Sequence, residues 1–154
     1  MEYNTKIVSP EAAMEPLLGL LDETEYIPLV ISGNSMTPFL VGGRDIVYLS
    51  KPDRPFKRGD MVLYQRTNGA YVLHRILKAE KDSYTMIGDA QTTPEYGVRK
   101  EQIRAIINAV QRKGKFLKQG NFRWIFFEAV WIRMIFLRPL FTKIYSIVSP
   151  QKEQ

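Results

Sequence analysis

The chain has 154 residues, a formal net charge of +6, 45% hydrophobic residues, one histidine and no cysteine. Without cysteine, disulfides and thiolate chemistry are excluded, and a single histidine disfavours a catalytic metal, so we expect neither a metal nor a cofactor. The length suffices for one sizeable core, which predicts one catalytic domain with short appendages.

A short helical extension is predicted at residues 1–26. Ser9 is a favourable N-cap and Pro10 a favourable first-turn residue for a helix that ends near Asp22. Pro16 is expected to kink or restart this helix. No basic region followed by an apolar stretch occurs here, so we expect neither a secretory signal nor an N-terminal membrane anchor.

The central part of the chain, residues 27–112, is predicted to be mostly β. Its short apolar runs are bounded by glycine, proline and aspartate, as is typical of strands. Asn68-Gly69 predicts a hairpin that places His74 in the second strand. The predicted strands are Ile27–Ile31, Ile46–Ser50, Met61–Gln65, Tyr71–Ala79, Ser83–Ile87 and Ile103–Gln111.

The loop Ser32–Pro38 carries a candidate nucleophile, Ser35. Gly33 permits a tight turn and a close approach of a substrate main chain, and a serine hydroxyl becomes a nucleophile when a neighbouring base removes its proton. Gly33, Asn34 and Met36 are the candidate substrate-binding residues. The alternatives are a loop serine that bonds its own backbone and a methionine that fills the core.

His74 is the candidate base. Strand alternation places it between Val72 and Ile76 on one face, where partial desolvation favours the neutral imidazole that a general base needs. A histidine that only satisfies the core is the alternative. If His74 is the base, the cleavage rate is expected to rise through about pH 6 to 7, where histidine ordinarily titrates.

A carboxylate is expected to orient the imidazole, as in serine triads. Asp89, after Gly88, is the first candidate, and Glu95 is the second. The alternative for Asp89 is a turn residue that caps its own loop. The sequence therefore predicts a Ser/His dyad or a Ser/His/Asp triad.

These segments resemble, in order, the motifs of the LexA and type I signal peptidase superfamily, whose nucleophile motif usually reads Ser-Gly-x-Ser-Met-x-Pro. The resemblance continues through Gly59–Val62, Val72–Ile76 and Gly88–Asp89 and covers roughly residues 27–112. It implies a coiled β-sheet fold and a serine endopeptidase of the histidine-base, endoplasmic-reticulum type, acting on a precursor, leader or membrane-proximal peptide. Similar proteins usually carry asparagine where this chain has Ala90.

A second hypothesis is a non-cleaving peptide-binding or membrane-surface regulatory module that retains the fold. It rests on the departures from the family pattern at Gly43-Arg44 and at Ala90.

The chain becomes basic towards its C-terminus. Residues 1–98 carry 10 basic and 13 acidic side chains, and residues 99–154 carry 12 and 3. A basic loop at 112–115 is predicted to separate the domain from an aromatic tail at 113–154, which Pro139 splits into two helices. Charges recur in this tail at every fifth position, so it is too interrupted to span a bilayer and is expected to make a poor amphipathic stripe.

Two interpretations of the tail remain open. It binds an anionic inner membrane surface, with basic side chains snorkelling beside the aromatic rings, or it packs on the domain and leaves apolar surface for a homodimer contact. Basic residues alternate with bulky aliphatic ones, which disfavours nucleic acid as a partner. The expected location is cytoplasmic, with a peripheral position at the inner membrane under the first interpretation.

Overall fold

A computed structural model describes residues 10–148, so Ser9 lies outside the described residues. The fold is mostly an antiparallel β-sheet with helical ends, as predicted. The strands are β1 Ile27–Val30, β2 Ile46–Ser50, β3 Met61–Gln65, β4 Tyr71–Ala79, β5 Tyr84–Ile87, β6 Glu95–Val98, β7 Ile103–Arg112 and β8 Lys115–Lys118. The α-helices are α1 Pro10–Gly19, α2 Phe122–Ile125 and α3 Arg138–Val148.

Short helical turns complete the ends of the chain. A 3-10 turn, Leu20–Asp22, extends α1 to its predicted end, and α1 runs through Pro16 without restarting there. After α2 the chain continues through a π-helical turn and two 3-10 turns before α3 begins beside Pro139, where the break between two helices was expected. These turns are Phe126–Val130, Trp131–Arg133 and Ile135–Leu137.

The sheet has the strand order β1-β2-β7-β3-β4-β5-β6, and β8 also pairs with β7. Strand β4 is longer than its partners. Its residues 71–75 pair with β3, and its second half pairs with β5 from Arg75 to Ala79. Within the described strands, the β5 side of residues 71–73 therefore has no neighbouring strand. The backbone there can hydrogen-bond to another extended chain.

Apolar side chains form a core on each face of the sheet. The larger cluster includes Phe39, Leu63, Trp124 and Trp131 and is covered by α1 and the C-terminal segment. The smaller cluster contains Tyr64 and other side chains of β3, β4, β5 and β7. Alternation along β4 sends Tyr71 and Leu73 to the larger cluster and Val72 and Ile76 to the smaller one, as the sequence pattern predicted.

The expected loop at 112–115 is a hairpin turn and not a linker. Lys113 and Gly114 have positive φ and connect β7 directly to β8, which pairs with the end of β7. Leu117 of β8 and Trp124 of α2 are buried in the larger cluster. The C-terminal segment is therefore built into the domain, because its aromatic side chains supply part of the core. No helix in the described range 10–148 is long and apolar enough to cross a membrane.

Candidate active site

The loop between β1 and β2 holds Ser35 in a compact turn. The N–H and hydroxyl of Thr37 both donate to the carbonyl of Asn34, at 3.2 and 2.8 Å. A Cβ on Gly42 would lie 2.2 Å from the carbonyl oxygen of Gly33. Since real Cβ atoms do not approach backbone so closely, only glycine at position 42 allows the loop this path.

His74 lies in β4 with its side chain almost fully buried, at 2% exposure. The pKa of His74 is lowered to about 4, mainly by burial and next by the charge of Arg66. The charge of Glu95 acts in the opposite direction and raises this pKa. The imidazole is thus neutral near pH 7 and can accept a proton.

Ser35 and His74 approach each other at Gly88. A Cβ on Gly88 would lie 2.5 Å from the carbonyl oxygen of Ser35 and 3.0 Å from Nε2 of His74. The N–H of Ala90 donates to the same Ser35 carbonyl at 2.9 Å. The backbone of Ala90 therefore helps to hold the Ser35 loop, and this contact does not involve the Ala90 side chain.

Ser35 reaches Gly88 through its backbone carbonyl, and His74 reaches it through its imidazole. His74 projects on the face of the smaller cluster, whereas Ser35 lines a cleft together with Leu63 and Leu73 of the larger cluster. Among the described residues, no hydrogen bond joins Ser35 to His74. Val72, on the same face as His74, also lines the cleft, so the cleft reaches both faces of β4.

Tyr64 and Glu95 form a relay behind His74. Nδ1 of His74 lies 3.3 Å from the hydroxyl of Tyr64, which donates to Oε2 of Glu95 at 2.5 Å. Glu95 is also bound by the guanidinium of Arg66 at 2.9 Å. Tyr64 pairs with Val72 in the sheet, so His74 is its diagonal neighbour on the same face.

This relay determines which imidazole nitrogen carries the proton. A phenol has one hydrogen, and Tyr64 gives it to Glu95, so the Tyr64 oxygen accepts from Nδ1–H of His74. Nε2, beside Gly88, then keeps a lone pair. Burial and Glu95 raise the pKa of Tyr64, so this hydroxyl stays protonated.

Glu95 remains ionised for a related reason. Burial alone raises the pKa of its carboxyl group, but hydrogen bonds from Arg66 and Tyr64 outweigh burial, and the net effect is a lowered pKa. A charged carboxylate at the end of the relay is a strong acceptor for the Tyr64 hydroxyl.

Asp89, the first candidate for the orienting carboxylate, does not contact His74. It is fully buried and accepts from Nε of Arg75 at 2.9 Å. His74 and Arg75 are consecutive in β4 and point to opposite faces, so a carboxylate that pairs with one is turned away from the other. Burial raises the pKa of Asp89, and the cations Arg75 and Arg138 oppose that rise. In this structure the second candidate, Glu95, is the one connected to His74.

The C-terminal segment holds the loop that follows β5. Nε1 of Trp131 donates to the carbonyl of Asp89 at 2.8 Å. The buried guanidinium of Arg138 donates to the carbonyls of Gly88 and Gln91, both at 2.8 Å. Sequence reasoning did not identify these two residues, because only the folded tail brings them to the loop.

The candidate substrate-binding residues differ in position. Gly33 and Met36 line the cleft next to Ser35. The volume of this cleft is about 290 Å³. Met36 is also buried in the larger core cluster, so it shapes the floor of the cleft. Asn34 is exposed and, within the described part of the chain, is not among the lining residues; its carbonyl closes the turn.

Across residues 10–148, no three histidine, aspartate or glutamate side chains are grouped as ligands for a metal ion. The titratable groups of the site instead form the hydrogen-bonded relay of His74, Tyr64 and Glu95. This arrangement suits proton transfer by the imidazole of His74, because the neutral hydroxyl of Tyr64 accepts from Nδ1 and donates to Glu95.

Comparisons with protein-family models, with curated proteins and with solved structures find no match to this chain.

Proposed function

We propose that this protein is a serine endopeptidase in which Ser35 is the nucleophile and His74 the general base. The observation that carries the proposal is the convergence at Gly88, where the main chain of Ser35 and Nε2 of His74 both come within 3.0 Å of one point. A serine hydroxyl and a neutral base held near the same loop are the first requirements of acyl transfer by serine.

In the proposed reaction, Nε2 of His74 removes the proton of the Ser35 hydroxyl as Oγ attacks the peptide carbonyl. The imidazolium then returns that proton to the nitrogen of the leaving amine, and the C–N bond breaks to give an acyl-enzyme. Water, deprotonated by the same nitrogen, attacks the ester; the C–Oγ bond then breaks, the carboxylic acid product leaves, and the imidazolium returns its proton to Oγ of Ser35. Side chains commonly complete the hydrogen bond from serine to base only when substrate is bound, so a rotation of Ser35 towards Nε2 is part of the proposal.

The backbone N–H of Ser35 is the proposed oxyanion donor. Among the described residues, no acceptor binds this N–H. A donor already fixed by the turn at Asn34 and Thr37 stabilises developing negative charge without reorganisation.

Tyr64 and Glu95 are proposed as positioning residues. Tyr64 holds His74 in the tautomer that leaves Nε2 as the base. The negative charge of Glu95, on the other side of the Tyr64 hydroxyl, favours the imidazolium that forms during the reaction. Arg66 keeps Glu95 ionised. This relay replaces the direct carboxylate contact of a simple triad.

The substrate proposed is an extended peptide. The cleft lies between Leu29–Gly33 at the end of β1 and Tyr71–Leu73 of β4. Within the described sheet, β1 pairs only with β2, and residues 71–73 pair only with β3. An extended chain between them would find backbone partners on both sides, which is β-strand addition.

The finer assignment is also a proposal: a histidine-base member of the LexA and type I signal peptidase superfamily. It is supported by the order of the motifs along the chain and by the antiparallel sheet that brings Ser32–Pro38, His74 and Gly88 together. A precursor, leader or membrane-proximal peptide is the substrate class that this resemblance suggests.

One observation favours a second candidate, a non-cleaving peptide-binding module. Ser35 and His74 are near each other without a direct hydrogen bond in the described residues. A protein of this kind would bind extended peptides in the cleft and leave them intact.

The test is incubation of the purified chain with a mixture of unstructured peptides, read by intact mass. Discrete cleavage products from the parent protein are expected, with none from Ser35→Ala or His74→Ala. Ser83→Ala is the control, since Ser83 directly precedes β5 and is not among the residues that line the cleft, and it should cleave like the parent. Identical products from all four proteins would refute the assignment of the catalytic pair. Peptide binding without cleavage by the parent would support the second candidate.

A further inference from the structure

The C-terminal helical segment 122–133 has one buried and one exposed face. Trp124, Phe127 and Trp131 face the core. The opposite face is also apolar, at the spacing of a helix: its exposed side chains are Phe122, Ile125, Phe126 and Val130. A surface helix of a globular protein ordinarily presents polar residues there, so this apolar outer face requires an explanation.

Helix α3 adds a second exposed apolar face. Its exposed apolar residues are Leu140, Phe141, Ile144, Ile147 and Val148. At about 100° per residue they fall within an arc of about 120°, whereas Lys143 and Ser146 lie outside it. The expected poor amphipathic stripe therefore does not describe α3, because the helix begins at Arg138 and excludes the earlier charges. The two exposed faces together are called the C-terminal apolar surface.

The surroundings of this surface are cationic. Between residues 113 and 148 the one acidic side chain is Glu128, which is half-buried and accepts from Gln119 at 2.9 Å. The exposed basic residues of the same stretch are Lys113, Lys115, Lys118, Arg123, Arg133 and Lys143. This combination complements an anionic surface. A second copy of the chain would bring the same cations against each other in a twofold contact.

We propose that the C-terminal apolar surface binds an anionic lipid bilayer, with its aromatic and aliphatic side chains in the interfacial region. The basic side chains then lie at the level of the lipid phosphates, with their aliphatic stems beside the rings. The helices lie on the bilayer, and none in the described residues has the length and apolarity to cross it.

The proposed surface begins next to the candidate site. Phe136 and Leu140, with exposures of 79% and 57%, flank Arg138 in the chain. The guanidinium of Arg138 binds the carbonyls of Gly88 and Gln91, in the loop that supports Ser35. Lipid binding would therefore bring that loop close to the bilayer. The lipid proposal itself does not depend on peptide cleavage, and its test does not measure cleavage.

The test is flotation of the full chain with vesicles of phosphatidylcholine alone and of phosphatidylcholine mixed with phosphatidylglycerol. Binding is expected to the mixed vesicles only and should weaken as salt is added, because salt screens the cationic contacts. Ile147→Glu places a charge on the apolar side of α3 and should weaken binding at least about tenfold. Ser146→Glu is the matched control: it adds the same charge on the polar side and should retain most of the binding.

A second measurement does not rely on those variants. Phe136→Trp places an indole at an exposed position of the surface, whereas Trp124 and Trp131 are already buried. Its fluorescence should shift to shorter wavelength with mixed vesicles and stay unchanged with neutral ones. Absence of binding to both vesicles overturns the proposal, as does equal loss of binding by Ile147→Glu and Ser146→Glu. Equal binding to neutral and anionic vesicles overturns its anionic component. A lipid-free dimer that Ile147→Glu dissociates, without binding to vesicles, identifies a second copy as the occupant.

Discussion

The hydroxyl oxygen of Tyr64 lies 3.3 Å from Nδ1 of His74 and 2.5 Å from Oε2 of Glu95, so a neutral phenol connects the imidazole to a carboxylate. This relationship assigns the Tyr64 hydrogen to Glu95 and the His74 hydrogen to Nδ1. It leaves Nε2 as the acceptor next to Gly88.

Replacing Tyr64 with phenylalanine tests this relay. Tyr64→Phe should lower kcat at least about tenfold, with KM little changed, because the imidazole loses the partner that fixes its tautomer. Nitrogen NMR provides an independent readout, since the chain's single histidine gives an unambiguous signal. The parent should show the Nδ1–H form, and the variant should show less of it. Tyr48→Phe is the control, because Tyr48 contributes ring contacts to Tyr26 and Phe116. A parent protein with Nε2–H as its main form contradicts the relay.

Burial of His74 changes the expected pH dependence. The sequence alone predicted a rise in cleavage rate through about pH 6 to 7, whereas the structure lowers the pKa of His74 to about 4. The base acts when neutral, so kcat/KM should increase about tenfold per pH unit below this pKa and stay level above it. NMR titration of His74 in Ser35→Ala, the variant that is expected not to cleave, measures the same pKa. A midpoint near 6.5 in both measurements would show that the imidazole is exposed to solvent.

Gly88 is expected to tolerate no side chain. In Gly88→Ala the new Cβ would meet the Ser35 carbonyl at 2.5 Å and His74 at 3.0 Å, so the two groups must move apart. Cleavage should fall by at least about 100-fold, because small displacements of reacting groups are costly. Gly19→Ala is the control, since nothing lies within 4 Å of its new Cβ; it should keep full activity. Normal cleavage by Gly88→Ala would place the reacting groups elsewhere.

The two carboxylates should respond differently to neutralisation. Asp89→Asn leaves the buried cation Arg75 without its counter-ion and should lower the free energy of unfolding by about 3 to 5 kcal/mol. Glu95→Gln affects a half-buried group and should cost much less stability while reducing kcat. Urea denaturation and cleavage assays on both variants separate these effects. A stable Asp89→Asn variant with reduced kcat would instead assign Asp89 to catalysis.

The β-strand pattern was largely predictable. All six predicted strands are present, with ends that differ by at most one residue, because alternation of apolar residues and the positions of glycine and proline are local signals. Two strands were missed. β6 contains Gly97 with positive φ, and β8 is a short, lysine-flanked strand, so neither shows the alternation of a longer strand.

The role of Tyr64 depends on hairpin register, which the sequence did not fix. A two-residue turn at Asn68-Gly69 would place Tyr64 opposite Leu73 and so on the face away from His74. The observed hairpin instead pairs Gln65 with Tyr71 and Arg66 N–H with the Ala70 carbonyl, so its loop has one residue more. A shift of one residue moves every side chain of the strand to the other face.

The sequence by itself determined the loop at Ser32–Pro38, the position of the single histidine in a strand and the basic, aromatic character of the tail, because each is a property of neighbouring residues. Only the tertiary structure decided which carboxylate connects to His74 and which tail residues hold the Gly88 loop. Those outcomes depend on strand register and on contacts between residues distant in the chain, such as Tyr64 with Glu95 and Arg138 with Gly88. Burial then set the charge of His74, since a neutral imidazole is favoured where water is excluded.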